Sequence, residues 1–225
     1  MSYLFVIVVT LILGMGTQAY IKSTYAKYSK ISNGCNITGA QAARKMLNDN
    51  GLTDVAIREV SGSLTDHYDP RNRTVNLSQG VYGSASVAAV AVACHECGHA
   101  VQHATNYAPM QVRSALIPAV NIASNAWVFI LIIGFVLNWF GLVFLACIVY
   151  AIVVLFQFVT LPVEFNASRR GLAYISSGGF GAMANNPGVY NGQKSVLRAA
   201  ALTYVAAALS SLLTLLYYLS RAQRN

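Results

Sequence analysis

His95-Glu96-Cys97-Gly98-His99 sets two imidazoles four residues apart, with a carboxylate beside the first. On a helix, residues i and i+4 lie one above the other on the same face. Two imidazoles stacked this way can grip one zinc ion, and the glutamate can take a proton from a water activated there. The chemistry is zinc-assisted hydrolysis, with Glu96 as general base. The chain has only four His and seven Asp+Glu in 225 residues, so three of them within five positions set this segment apart.

Catalytic zinc takes three protein ligands and keeps one position for water. His103 is the local choice for the third. Positions 95 and 103 are about 12 Å apart along a helix axis, too far to converge with His99 on one ion. His103 is therefore expected behind the ligands or at the surface. The acids narrow the choice. Beyond Asp69 only Glu96 and Glu164 remain. Glu164 ends a long apolar run, in Pro162-Val163-Glu164-Phe165-Asn166. An acid at a membrane boundary is costly unless partnered. Two His and one Glu form a known hydrolytic zinc set. The competing reading pairs Glu164 with Arg169 or Arg170 at the interface.

The elements that must position these groups lie in a membrane protein. The chain is 56% hydrophobic and only 10% charged, against about 25% charged in an average soluble domain. Four spans are expected, at residues 3–21, 116–137, 142–161 and 196–219, within a single domain 1–225. Lys22, Lys27 and Lys30 follow the first run, Arg113 precedes the second, and Arg169 and Arg170 follow the third. By the positive-inside rule these ends face the cytoplasm, with the N-terminus outside. Arg221 and Arg224, at the far end of the last run, run against that rule. The net charge of +8 comes from scattered residues and fits anionic headgroups rather than nucleic acid.

Residues 22–114 form the polar, catalytic segment. Thr38 and Gln41 make a capping box that opens a helix, stopped by Asn50-Gly51. Residues 55–60 read as a strand, 69–72 as a turn and 74–77 as a second strand, which suggests a hairpin. A long helix from Ser86 to about His103 carries the zinc motif. Residues 178–192, rich in Gly and Asn, read as a loop able to act as a lid. Cys94 and Cys97 point away from the histidine stripe and read as buried packing residues. No disulfide framework is visible among the four cysteines.

Four blocks add a resemblance. They are Leu64-Thr-Asp-His-Tyr-Asp-Pro70, Ser86-Val-Ala-Ala-Val-Ala-Val-Ala-Cys-His-Glu-Cys-Gly-His99, Leu161-Pro-Val-Glu-Phe-Asn-Ala-Ser168 and Ala200-Ala-Leu-Thr-Tyr-Val-Ala206. With them the chain resembles the YugP-like zinc membrane metallopeptidases of bacteria over nearly its whole length. The resemblance implies a mainly α, integral membrane peptidase with a small α+β, zincin-like cytoplasmic segment and one Zn2+ ion. It carries over His95 and His99 as ligands, Glu96 as catalytic, and Glu164 as the family's acidic position. Two departures stand out. Cys94 and Cys97 replace aliphatic or small residues, which could make activity oxidation-sensitive. Ser168 stands where broader glutamate-zincins often place an Asp that orients a ligand His. That role must pass to Ser168, Asn166 or a backbone carbonyl.

The expected substrate is a protein or peptide, membrane proteins among them, met at the cytoplasmic face of the cell membrane. His67 and Tyr68 are candidate donors to the reacting carbonyl, and Arg169 is a further candidate that also suits headgroup anchoring. Strand 74–78 could pair with a substrate backbone by edge addition. The alternatives are an intramembrane-cleaving protease, with the site sunk in the bilayer, and a non-catalytic protein with a structural zinc.

Overall fold

The computed structural model describes residues 2–183 and 186–222. The chain divides into two compact units. One comprises Met1–Gln18, Ala108–Pro162 and Leu202–Asn225; the other comprises Ala19–Tyr107 and Val163–Ala201.

The first unit is built from one whole apolar helix and parts of three others, whose remaining residues belong to the second unit. Helices α1 (Tyr3–Tyr28), α5 (Ala108–Val136), α6 (Phe140–Tyr174, continuing as one π turn to Gly179) and α7 (Pro187–Ala222) are long and apolar enough to cross a membrane. Each expected span falls largely on one of them, and each helix runs beyond its span. Apolar side chains point outward along them, with Leu4, Ile122 and Val136 at least 70% exposed. In water such surface would be unfavourable, while hydrocarbon receives it at no cost. The α5–α6 connection is the expected turn at Asn138, which takes a left-handed φ of 47°. Arg224 of the basic tail lies outside the described residues.

The second unit carries the polar chemistry. Helix α2 (Gly39–Asp49) starts at the expected capping box: the Thr38 hydroxyl accepts from Gln41 N–H, and the Gln41 side chain accepts from Thr38 N–H. Its Ala42, Ala43, Met46 and Leu47 are buried against the zinc-motif helix α4 (Val87–Ala104). A three-stranded sheet flanks them, in the order β1 (Ala56–Val60), β3 (Thr74–Ser78), β2 (His67–Asp69).

The sheet corrects two expectations. The hairpin around residues 69–72 joins β3 to β2, a three-residue strand too short to show as a periodic pattern, while β1 runs parallel to β3. Strand β3 is therefore central, and its backbone is taken by neighbours on both sides. It offers no edge for a substrate. A short helix α3 (Gln79–Tyr82) leads from β3 toward α4.

The expected loop 178–192 is also shorter than its composition indicates. Helix α7 begins at Pro187, and the Asn186 side chain accepts from the N–H groups of Gly188 and Val189. Asn as N-cap followed by Pro at the first helical position is a strong start signal. It outweighed the glycines. Residues 184–185 of this stretch lie outside the described residues.

Candidate active site

Helix α4 starts at Ser86, whose hydroxyl accepts from Ala89 N–H. Its first turns are Ala and Val, almost all buried, so the helix is locked in the core before it reaches the motif. Two glycines then let α6 come backbone-close. A Cβ at Gly98 would lie 2.5 Å from the Ala167 carbonyl oxygen, and one at Gly171 would lie 2.9 Å from that of Cys94. Both contacts are too short for any side chain.

This approach brings Glu164 to the histidines. Glu164 Oε2 stands 3.4 Å from His95 Nε2 and 3.5 Å from His99 Nε2. The two imidazoles meet edge-on, with centroids 4.8 Å apart. Their side chains keep 11% and 12% of their surface exposed, and that of Glu164 keeps 4%. Glu164 makes no ion pair with Arg169 or Arg170 among the described residues. Arg170 donates to Asn166 instead, at 2.8 Å, and Arg169 is exposed.

The outer contacts of the imidazoles differ. Ser168 Oγ and His95 Nδ1 are hydrogen-bonded at 3.1 Å. His99 Nδ1 is 3.0 Å from Gln102 Oε1, and the Gln102 amide donates to the Val163 carbonyl and to Asn166 Oδ1. Ser168 and Asn166 stand out from the sequence, but Gln102 does not. Its one signal is that it follows His99 by three residues on the same helix.

Glu96 is buried beside the histidines. Burial pushes its carboxyl above the ordinary range, while the two imidazoles pull it back. At His99, burial opposes a charge, yet the adjacent Glu164 carboxylate raises the imidazole above its ordinary value.

Strand β2 supplies the remaining candidates. The Tyr68 hydroxyl is hydrogen-bonded to His103 Nδ1 at 2.8 Å, one turn beyond His99 on α4. His67 is exposed, and its Nδ1–H donates to the Thr65 carbonyl at 2.8 Å, a contact within its own turn. Cys94 and Cys97 are fully buried in the core around α2 and α4.

The model of the family described as "Putative neutral zinc metallopeptidase" matches residues 3–223. The chain belongs to this family. It is also 45% identical, over 218 residues, to the "Putative membrane protease YugP" of Bacillus subtilis (strain 168), covering 97% of this chain and 95% of that protein. No solved structure matches.

The zinc of this metallopeptidase family has a candidate seat. His95, His99 and Glu164 each offer a ligand atom, all within 4.8 Å of one another. Ligands about 2.0–2.2 Å from a tetrahedral metal stand roughly 3.4 Å from each other. The two Glu164 distances match that spacing. Glu164 Oε2 is moreover buried with no hydrogen-bond partner. A buried carboxylate oxygen left bare costs on the order of 1–3 kcal/mol or more. A divalent cation removes that cost, and the neutral-nitrogen and carboxylate donors suit zinc.

Proposed function

We propose that this chain is a membrane-bound, zinc-dependent endopeptidase. In this reading His95, His99 and Glu164 hold the metal and Glu96 is the general base. The single observation that carries it is the convergence of Glu164 Oε2 and the two Nε2 atoms at tetrahedral-ligand spacing. The family and the name of the Bacillus relative support peptide hydrolysis.

Zinc, when bound, would supply Lewis acidity that lowers the pKa of water toward ~7 and polarises a carbonyl. The protein residues do the rest. Glu96 accepts the proton of the attacking water and delivers it to the leaving amine. Tyr68, tied to α4 through His103, is the preferred donor to the developing oxyanion; His67, on the same strand, is the second candidate. Arg169 serves the headgroup region. With β3 central, the outer edge of β2 is the place for an extended substrate backbone.

The substrate is a protein or peptide, presented at the cytoplasmic surface of the cell membrane. The basic residues that flank the spans support that side. In this reading the site lies at the membrane surface rather than within the bilayer. A purely structural zinc is closed by four protein ligands. The candidate cluster has three, among the described residues.

The test is cleavage of an unfolded protein by the purified chain in detergent. Hydrolysis that stops with a chelator, returns with zinc and is absent in Glu96→Gln is expected. Full cleavage by Glu96→Gln, or cleavage indifferent to chelation, would overturn the reading. The inactive variant can also trap membrane substrates for identification.

A further inference from the structure

We infer that Gln102 is a positioning residue: through a hydrogen-bond relay with one possible polarity, it forces His99 to present Nε2, and not Nδ1, to the metal. The inference rests on the proposed zinc site.

The relay runs His99, Gln102, Asn166, Arg170. Gln102 is fully buried, yet each polar atom of its amide is engaged. An amide can sit either way round in a pocket, and its orientation is decided by its partners. Here two groups decide it. The Val163 carbonyl, 2.8 Å from Gln102 Nε2, can only accept, so the NH2 must face it. At the far end Arg170 Nε can only donate, and its contact is Asn166 Oδ1 at 2.8 Å. Asn166 Oδ1 therefore accepts from both sides, from Arg170 and from Gln102 Nε2 at 3.0 Å. Gln102 Oε1 is left pointing at His99 Nδ1, and an amide oxygen can only accept. Nδ1 must carry a proton. The lone pair available to a metal is then on Nε2, the nitrogen that faces Glu164.

His95 has no such constraint. Its partner Ser168 is a hydroxyl, which can donate or accept, so Ser168 tolerates either tautomer. The two ligands are thus unequal. His99 is fixed by a buried relay that spans α4 and α6, and His95 follows. Both outer partners are also neutral, whereas carboxylate partners would raise ligand basicity.

Gln102→Met keeps the volume and removes both functions of the amide. Zinc affinity, measured by chelator competition on the detergent-purified full chain, should fall ~10–100-fold. In the zinc-loaded protein labelled with 15N-histidine, the slowly exchanging Nδ1–H signal of His99 should be lost or should exchange faster, with the circular dichroism of the helices unchanged. If Gln102→Met does not fold, the Asn166 pair carries the test. Asn166→Leu removes the acceptor and should weaken zinc, whereas Asn166→Asp keeps it and should retain wild-type affinity. A folded Gln102→Met chain with wild-type affinity and an unchanged His99 signal would overturn the relay. So would equal affinities in Asn166→Leu and Asn166→Asp. Wild-type zinc binding by His99→Ala would instead overturn the site on which the relay rests.

Discussion

Gly98 and Ala167 meet backbone to backbone: a Cβ on Gly98 would sit 2.5 Å from the Ala167 carbonyl oxygen. The contact lies between the two residues that matter, since Gly98 precedes His99 and Ala167 follows Glu164 by three. It sets how near α4 and α6 come, and so whether the carboxylate reaches the imidazoles. Gly98→Ala should push the helices apart, at a cost of about 1–3 kcal/mol, as for other overpacked cores. Zinc affinity should fall with it. Thermal melting and metal content of the variant check both. A Gly98→Ala chain as stable and as metal-rich as wild type would show that the close approach is dispensable.

Glu96 and Glu164 are both buried carboxylates, but they should separate cleanly in experiment. Glu96→Gln keeps the three proposed ligands and removes the base. Zinc content should stay at the wild-type level, while kcat/KM falls ~10²–10⁴-fold, the usual worth of a general base. Loss of metal in this variant would move Glu96 into the ligand set.

Cys94 and Cys97 are fully buried, and burial pushes both thiols above their ordinary value. The thiolate is the reactive form. Alkylation of the native chain, read by mass spectrometry, should label the half-buried Cys35 first and spare both residues of α4 until the chain unfolds. Rapid labelling of Cys94 would contradict its place in the core. Protection follows here from packing within the protein, so it does not report depth in the bilayer.

Asp49, at the end of α2, accepts from the Tyr174 hydroxyl at 2.5 Å and from Lys45 at 2.9 Å. The Tyr174 bond, then Lys45, hold its carboxyl below the ordinary value. For a lowered carboxylate the stabilising contribution is present above the ordinary pKa and is lost as pH falls through the lowered one. Tyr174→Phe should therefore melt below wild type at neutral pH, and the two curves should converge in acid, once Asp49 is protonated in both. A gap that stays constant with pH would show that the tyrosine acts through packing instead.

How much was legible in the sequence depended on how rare each signal was. Acids are so scarce in this chain that Glu164 stood out without any structure, and a charged group so near an apolar run demanded a partner. The four helices long and apolar enough to cross a membrane were legible because long apolar runs fit few places but a bilayer. Strand β2 was not legible, because three residues carry no alternation and its pairing depends on β3 far more than on itself. Asn186-Pro187 announced the start of α7, but the surrounding glycines masked it. Gln102 was silent because amides carry no charge and leave no mark on composition. Its meaning comes only from the Val163 carbonyl and Asn166, more than 60 positions away. The glycines of the α4–α6 contact were equally silent, since only the backbone each one touches gives it a role.

The most direct test is the zinc content of the purified Glu164→Gln chain beside that of wild type. Wild type should hold one zinc per chain, and Glu164→Gln should lose it while its helices stay folded. Full zinc occupancy in Glu164→Gln would remove Glu164 from the metal site and contradict the central claim.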